Sequence, residues 1–242
     1  MRQCESGMSR RALLITLPGL ATAPSFMDGV RASLCRLLDE LGYEADAHSL
    51  YAYGDWGRRL LPQIGDIAYD YAMGSRWTHR SIATSRYREL RDRLDLAIHH
   101  YAVVLLVGHS GGGIAGLHAA REVRRLHPHL HTLNVLIGSP RCRVLPEERD
   151  RVLYMAASWR SGRPSDPVSL IGSWGGWERT HNGLMRWNRY KHAPSDMMEL
   201  PIVGGHPDYF RHAAPYVDVA GRSNLQVVMD ALELWLEKKL EP

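Results

Sequence analysis

The segment Gly108-His109-Ser110-Gly111-Gly112 holds the residues whose types and spacing could most directly do chemistry. It stands between an apolar run at 102–107 and a stretch of helical spacing at 117–126, which predicts a tight turn from a strand into a helix. Such a turn strains the backbone of its serine and leaves room only for small neighbours, which the flanking glycines are. Ser110 would then lie at the amino end of a helix, where the dipole and free N–H groups favour negative charge. The pattern therefore predicts a nucleophilic serine.

Two other interpretations of this glycine-rich turn are a bystander serine and a phosphate-binding loop. The flanking strand and helix disfavour a bystander, because they supply the structural context that a nucleophile needs. A Gly-x-Gly-x-x-Gly loop would require glycine where Ser110 stands, and the sequence contains no Gly-Lys-Ser or Gly-Lys-Thr. We therefore expect acyl-transfer chemistry rather than nucleotide binding at this turn.

A serine hydroxyl is a weak nucleophile near neutral pH, so it needs a histidine base and a carboxylate that orients the base. The sequence offers thirteen histidines. His109 directly precedes the serine, and we expect its side chain to point away along the turn. His127, His129 and His131 alternate in a way that could suit metal binding, but no fourth ligand or second motif accompanies them, so no metal site is predicted.

Four segments resemble the α/β-hydrolase superfamily, in particular its lipase and esterase branches. They are the nucleophile turn with its strand (105–112), Leu17-Pro18-Gly19-Leu20, Leu136-Ile137-Gly138-Ser139-Pro140, and Gly204-Gly205-His206-Pro207-Asp208-Tyr209-Phe210. The resemblance covers residues 11–240, and the nucleophile turn is its most specific part. Two departures are visible: the chain begins at what would be the family's third strand, and Pro18-Gly19 stands where the family usually has His-Gly.

The resemblance implies a catalytic triad in the chain order serine, acid, histidine. Ser110 takes the place of the nucleophile, and His206 takes that of the base because it follows the last predicted strand. The acid is expected in the loop after the strand at 152–156, where Asp166 is the only carboxylate before the next insertion. Asp196, ten residues before His206, is the alternative acid.

Acyl transfer also needs two donors for the oxyanion. The resemblance places one donor at the backbone N–H of Gly111 and the other in the turn after the first strand. Leu20 is the expected second donor, because it follows Pro18-Gly19 and the proline itself has no N–H to give.

Apolar runs and stretches of helical spacing alternate along the chain, which predicts an α/β fold with a parallel sheet covered by helices on both faces. The expected strands are 11–17, 43–50, 102–107, 133–137, 152–156 and a weaker one at 199–203. Helices are expected after Ser25, which with Asp28 resembles a capping box, at 81–99, at 117–126, and from Ser223 or Asn224 towards the carboxyl end. With the resemblance, these elements imply a reduced α/β-hydrolase fold of about six mainly parallel strands.

Tryptophan and tyrosine are concentrated in two stretches between sheet elements, 51–77 and 159–190. Because these rings offer apolar bodies with polar tips, we interpret the segments 51–80 and 167–197 as insertions that roof a pocket. The candidate substrate-binding residues are Trp56, Trp174 and Trp177. They favour an apolar acyl or aromatic group in the substrate, and plain core packing is the alternative role for such tryptophans.

The composition is that of an ordinary globular protein: 45% of the 242 residues are hydrophobic, 23% are charged and the formal charge is +4. No apolar run approaches the about 20 residues of a membrane span. Ser9-Arg10-Arg11 is not interpreted as an export signal, because cleavage after it would delete the first strand.

Charges in 76–93 are spaced to pair along a helix, as Arg88 and Asp92 are, so nucleic-acid binding is not expected. Three cysteines at unrelated spacings indicate neither a disulfide framework nor a zinc site, and we expect a reducing, cytoplasmic setting.

The sequence therefore predicts one domain over residues 1–242, flexible at 1–10, that hydrolyses a carboxylic ester or thioester through an acyl-enzyme on a serine. No metal or organic cofactor is expected, and a small, apolar ester is the expected partner. An acyltransferase with the same site and a non-catalytic binding protein on the same fold are the alternatives.

Overall fold

The computed structural model describes residues 10–74, 78–94, 96–158 and 164–241, and a six-stranded parallel sheet lies at its centre. Its strands in chain order are β1 (Arg10–Leu17), β2 (Tyr43–Ser49), β3 (Val103–His109), β4 (His131–Ile137), β5 (Val152–Ala157) and, after two short strands outside the sheet, β8 (Asp196–Leu200). They lie side by side in the order β2-β1-β3-β4-β5-β8. Leu105 of β3 is level with Leu14 of β1 and Leu133 of β4. The predicted α/β fold with a parallel sheet is confirmed.

Helices cover both faces of this sheet. They are α1 (Asp28–Glu40), α2 (Leu60–Met73), α3 (Ile82–Arg93), α4 (Gly111–Leu126) and α5 (Asn224–Leu240). The apolar residues of α1 and α5, among them Leu34 and Trp235, pack on one face of the sheet. Those of α3 and α4, among them Tyr87 and Ala119, pack on the other. Because both faces are covered, β3 is buried along its whole length, which is why it appears in the sequence as an unbroken apolar run.

The amino ends of the helices test the predicted caps. Ser223 caps α5, where its side chain accepts the N–H of Gln226 at 3.3 Å. The cap predicted for α1 is wrong: the helix begins at Asp28 without a side-chain cap, and Ser25 offers only its carbonyl oxygen to the Asp28 N–H, at 3.1 Å. The chain before α1 thus makes a separate turn before the helix starts.

An ion pair joins α3 to α4. The Arg88 guanidinium donates to the Glu122 carboxylate at 2.8 Å, and the Glu122 side chain is 1% exposed. The predicted pairing of Arg88 with Asp92 along α3 is wrong, and Asp92 pairs with Arg91 at 2.7 Å. The charge of Arg88 therefore holds two helices together instead of lying on a solvated helix face.

Helix α2 buries polar side chains and exposes apolar ones. It lies in the segment 51–80, where the sequence has no clear period, and its two fully buried residues are the polar Gln63 and Asp70. Leu61, by contrast, is 79% exposed. The Asp70 carboxylate accepts the first two N–H groups of α3 at 2.8 and 2.9 Å, so this buried carboxylate caps the next helix.

The insertion at 167–197 contains the two remaining strands, β6 (Gly176–Arg179) and β7 (Met185–Asn188). They form an antiparallel hairpin that is separate from the main sheet. The strand that follows the hairpin, β8, begins three residues before the predicted strand and ends at Leu200, where Pro201 follows.

Some of the predictions fall on residues outside the described ranges. These are the flexible start of the chain up to residue 9 and the aromatic residues Trp77 and Trp159. Among the helices of the described ranges, none is long and apolar enough to cross a membrane.

Candidate active site

Ser110 lies at the junction of β3 and α4 in a left-handed backbone conformation (φ 57°, ψ −130°) that a non-glycine residue rarely adopts. Its N–H donates to the carbonyl oxygen of Ile137 at 2.9 Å, which ties the turn to β4. A Cβ at Gly112 would collide with the carbonyl oxygen of Leu17, and a Cβ at Gly19 would lie 2.6 Å from that of Ser110. Glycine at both positions is thus what allows β1, β3 and α4 to meet this closely.

Asp166 and His206 meet at the edge of the sheet where Ser110 lies. Asp166 comes from the chain after β5 and His206 from the chain after β8, so both follow the carboxyl ends of parallel strands, as Ser110 does. The Nδ1 atom of His206 is 2.9 Å from Oδ2 of Asp166. Because a carboxylate only accepts, Nδ1 carries the hydrogen, and Nε2 of the neutral ring is the atom that can accept a proton.

The Asp166 carboxylate is fully buried and accepts further hydrogen bonds. The Tyr209 hydroxyl donates to Oδ2 at 2.8 Å, and the Val168 N–H donates to Oδ1 at 2.8 Å. Burial by itself would raise the pKa of Asp166, but the hydrogen bonds from His206, Tyr209 and Val168 outweigh it and hold that pKa below its usual value. Asp166 is therefore a buried anion beside the imidazole.

The alternative acid, Asp196, lies at the start of β8 and is bonded to α5. Its carboxylate accepts the indole N–H of Trp235 at 2.9 Å and pairs with Lys239 at 2.9 Å. The structure therefore brings Asp166 to His206 and gives Asp196 different partners.

His109 does not point away from the site, and the prediction for its side chain is wrong. Its ring stacks on the ring of His206 with centroids 4.7 Å apart and an angle of 27° between the planes. Its Nε2 lies 3.0 Å from the carbonyl oxygen of His206, and since that oxygen only accepts, Nε2 is the donor. Burial, and then the neighbouring His206, lower the pKa of His109 to about 3, so the stacked ring is neutral. The residue directly before Ser110 thus holds both the ring and the backbone of His206.

The turn after β1 lies against the nucleophile. Gly19 is in contact with Ser110, and Ala21 has a positive φ of 48°. The side chain of Gln63 on α2 accepts the Ala21 N–H at 2.9 Å and donates to the carbonyl oxygens of Asp55 and Arg58 at 2.7 and 2.9 Å. This amide holds the turn in which Leu20 lies. The backbone of Gly111 is at the start of α4, and a Cβ there would lie 2.7 Å from Ile67 of α2, so α2 lies against one candidate oxyanion donor and is bonded to the turn that contains the other.

The three candidate tryptophans lie in different environments. Trp56 is 70% exposed, and its backbone N–H donates to the carbonyl oxygen of Thr22 at 3.2 Å. Trp174 is buried edge-on against Tyr154 and, with Tyr190, lines a cavity of about 330 Å³. Trp177 is exposed on the β6–β7 hairpin. Their role in substrate binding stays a prediction.

Three residues of the site were not found from the sequence: His109 as a support of His206, Tyr209 as a donor to Asp166, and Gln63 as the anchor of the turn. The sequence contains an indication for two of these residues. Tyr209 belongs to the same short segment as His206, and Gln63 is an amide in an otherwise apolar stretch. Within the described residues, no group of three or more His, Cys, Asp or Glu could hold a metal ion.

No protein-family model matches the sequence, and no curated protein matches it. Among solved structures, the RedJ thioesterase of prodiginine biosynthesis from Streptomyces coelicolor is similar over 93% of this chain and 86% of its own, with 12% identity and a TM-score of 0.46. An esterase from Pyrococcus furiosus is similar over 97% of this chain and 84% of its own, with 12% identity and a TM-score of 0.42. The peroxisomal α/β-hydrolase Lpx1 from Saccharomyces cerevisiae is 19% identical over 59% of this chain, which spans only 36% of that protein, with a TM-score of 0.36.

The molecule has the α/β fold with six parallel strands that the sequence predicted. Six parallel strands carry helices on both faces, and the turn at Ser110 leads from the central strand β3 into α4. The candidate residues follow the carboxyl ends of three strands in the chain order serine, aspartate, histidine.

Proposed function

We propose that the protein is a serine hydrolase that cleaves a carboxylic ester or thioester through an acyl-enzyme on Ser110. The observation that carries the proposal is the hydrogen bond of 2.9 Å between the buried Asp166 carboxylate and Nδ1 of His206. This pair leaves Nε2 as the proton acceptor, and the stacking of His206 on His109 brings its ring to the residue next to Ser110.

In the first half of the reaction, Oγ of Ser110 attacks the carbonyl carbon of the substrate while its proton passes to Nε2 of His206. The C–O or C–S bond of the tetrahedral intermediate then breaks, and the alcohol or thiol leaves with the proton from Nε2. The acyl group remains on Ser110. The Asp166 carboxylate stabilises the imidazolium that exists between these two steps.

In the second half, a water molecule attacks the acyl carbon and gives its proton to Nε2 of His206. Collapse of the second intermediate returns the proton to Oγ of Ser110 and releases the carboxylic acid. In both halves, the N–H groups of Gly111 and Leu20 hold the oxyanion, at the positive end of α4. The support for these two donors is the contact of Gly19 with Ser110, and the place of Gly111 at the amino end of α4 directly after Ser110.

An apolar acyl or aromatic group is the substrate feature that we propose, because aromatic residues are concentrated in the two insertions that follow the carboxyl ends of β2 and β5. Acyl transfer to an alcohol or amine would use the same residues, with that nucleophile in place of water. A binding protein without catalysis would keep the fold but not react at Ser110.

The test is labelling with a fluorophosphonate probe, followed by peptide mapping, together with hydrolysis of p-nitrophenyl acyl esters. We expect the label on Ser110 and the release of p-nitrophenol, and we expect Ser110→Ala to lose both while its thermal midpoint changes little. Hydrolysis by Ser110→Ala within about tenfold of the unsubstituted protein would refute the nucleophile assignment. The acyltransferase would be favoured if the probe labels Ser110, no hydrolysis is detected, and an ester forms when an alcohol is added.

A further inference from the structure

The β6–β7 hairpin has two different faces. Side chains alternate along each strand, so residues that are paired across the strands share a face. Trp177 pairs with Trp187, and Arg179 pairs with Met185, which places these four on one face. The two other pairs, Glu178 with Arg186 and Gly176 with Asn188, lie on the other face.

The polar face of the hairpin is bonded within itself. The Glu178 carboxylate accepts hydrogen bonds from Arg186 at 2.8 Å and from the side-chain amide of Asn188 at 2.9 Å. These bonds join the two strands to each other, and they involve no side chain of the opposite face.

The other face is apolar and exposed. Trp177, Met185 and Trp187 are each more than half exposed, and Leu184, beside the turn of the hairpin, is 70% exposed. The two indole rings lie edge to face with centroids 5.5 Å apart, so they form one rigid aromatic surface. A protruding hairpin with two tryptophans and two aliphatic side chains in water indicates a binding surface.

The charges around this face are cationic. Between residues 176 and 192 the chain has one carboxylate, Glu178, and four cations, Arg179, Arg186, Arg189 and Lys191. The guanidinium of Arg189 lies 5.3 Å from the centre of the Tyr190 ring, and the Lys191 ammonium donates to the carbonyl oxygen of Trp177. Tryptophan, tyrosine and basic residues together are the composition of segments that lie at the boundary between lipid headgroups and acyl chains.

The exposed apolar stripe of α2 lacks this charge pattern. It includes Leu60, Leu61 and Ile64, but the segment 55–70 has three carboxylates and two cations. Charge complementarity therefore selects the hairpin as the surface for an anionic partner.

We propose that the β6–β7 hairpin docks the protein on a lipid surface that carries anionic headgroups. Leu184 and Met185 enter the acyl region, the tryptophans lie at headgroup depth, and Arg179, Arg189 and Lys191 contact the phosphates. The hairpin lies in the connection between the carboxyl end of β5 and the amino end of β8. The proposal does not require catalysis.

The test is cosedimentation of the full chain with vesicles of phosphatidylcholine alone or mixed with phosphatidylglycerol, with tryptophan emission as a second readout. We expect binding to the mixed vesicles, a blue shift of the emission, and weaker binding as salt is raised. The double variant Leu184→Asp, Met185→Asp should bind at least about tenfold more weakly, because it places two charges where acyl chains would be. The matched control is Leu234→Asp, since Leu234 is a 64% exposed leucine on α5, and it should bind like the unsubstituted protein.

Several outcomes would overturn the proposal. These are no binding to mixed vesicles, equal binding to neutral vesicles, and unchanged binding by the double variant. A dimer in solution that the double variant converts to a monomer, without vesicle binding, would assign the hairpin to a second copy of the chain. Circular dichroism confirms that the variants fold. Because binding is measured without turnover, it is independent of the outcome at Ser110.

Discussion

His109 and His206 are far apart in the sequence, and their contact shows how a neighbouring residue can hold a candidate catalytic side chain in place. The stacked ring of His109 is 4% exposed and is surrounded by aromatic side chains, with Phe26 at 5.0 Å and Tyr209 at 5.6 Å between ring centroids. Because this ring is neutral, it places no positive charge beside His206. The imidazole of His206 is therefore held between the His109 ring and the Asp166 carboxylate.

The assignment of the acid is tested by replacing Asp166 with asparagine. Asp166→Asn keeps the shape of the side chain but removes the charge that stabilises the imidazolium and fixes its tautomer. We expect turnover of p-nitrophenyl esters to fall by at least about 10²-fold, since the equivalent change in a serine protease costs about 10⁴-fold. Steady-state kinetics of the purified variant measures the effect.

Asp196→Asn is the control for this prediction, because Asp196 is bonded to α5. It should leave turnover nearly unchanged. A larger loss with Asp196→Asn than with Asp166→Asn would contradict our assignment. It would leave Asp166 with only its role in the turn, where it accepts the Val168 N–H.

At the scale of elements, the buried strands and the helices with apolar faces are predictable from the sequence, and the helix and strands inside the two insertions are not. β3 is an unbroken apolar run because both of its faces are buried, and α4 follows it with apolar residues at helical spacing, so both elements are readable from the sequence. α2 was not predicted because tertiary structure buries its polar residues. The hairpin was not predicted because it has no core to face. At the site, spacing and resemblance led to the paired Asp166 and His206, whereas the contact of His109 depends on a chain reversal that no local pattern encodes.

Gln63 gives α2 a role that can be measured. Gln63→Leu removes the acceptor for the Ala21 N–H, so the turn that contains Leu20 loses its anchor. We expect kcat for ester hydrolysis to fall by about tenfold or more with little change in KM, because the oxyanion exists only along the reaction path. Kinetics at saturating and limiting substrate separates the two parameters.

Leu61→Ala is the control on the same helix, since the Leu61 side chain is exposed and should not affect kcat. A rise in KM alone with Gln63→Leu would assign the amide to substrate binding. Equal small effects of both substitutions would show that the turn keeps its conformation without Gln63.

For the whole molecule, buried neutral histidines make stability depend on pH. Burial, followed by Arg121, lowers the pKa of His118 to about 4, and that of His109 is lowered to about 3. In the unfolded chain both take up a proton near pH ~6.5. Between these values the unfolded state binds more protons, so the free energy of unfolding falls as the pH is lowered below ~6.5. Each histidine contributes up to about 1.4 kcal/mol per pH unit in this window.

Urea unfolding at a series of pH values between about 7 and 4.5 checks this expectation. In His118→Gln, the amide can still donate to the carbonyl oxygen of Asp70, which His118 contacts at 3.0 Å, but it cannot titrate. The slope of stability against pH should therefore be shallower in this variant. An unchanged slope would mean that His118 does not titrate differently in the folded and unfolded chains.

The burial of polar residues by α2 has a consequence for the local unfolding of the molecule. A helix that buries Gln63 and Asp70, and packs the partly buried Ile67 and Tyr71 against the core, exposes less apolar surface when it detaches than a helix with a full apolar stripe, so its detachment carries a smaller heat-capacity change. Its hydrogen bonds add a cost of about 1 kcal/mol each. Because Asp70 accepts the first two N–H groups of α3 and Gln63 holds Ala21, the detachment removes these acceptors from α3 and frees the turn beside Ser110 in the same event. The amide hydrogens of α2, of the first turn of α3 and of Ala21 should thus exchange with solvent as one cooperative unit, well before the sheet unfolds.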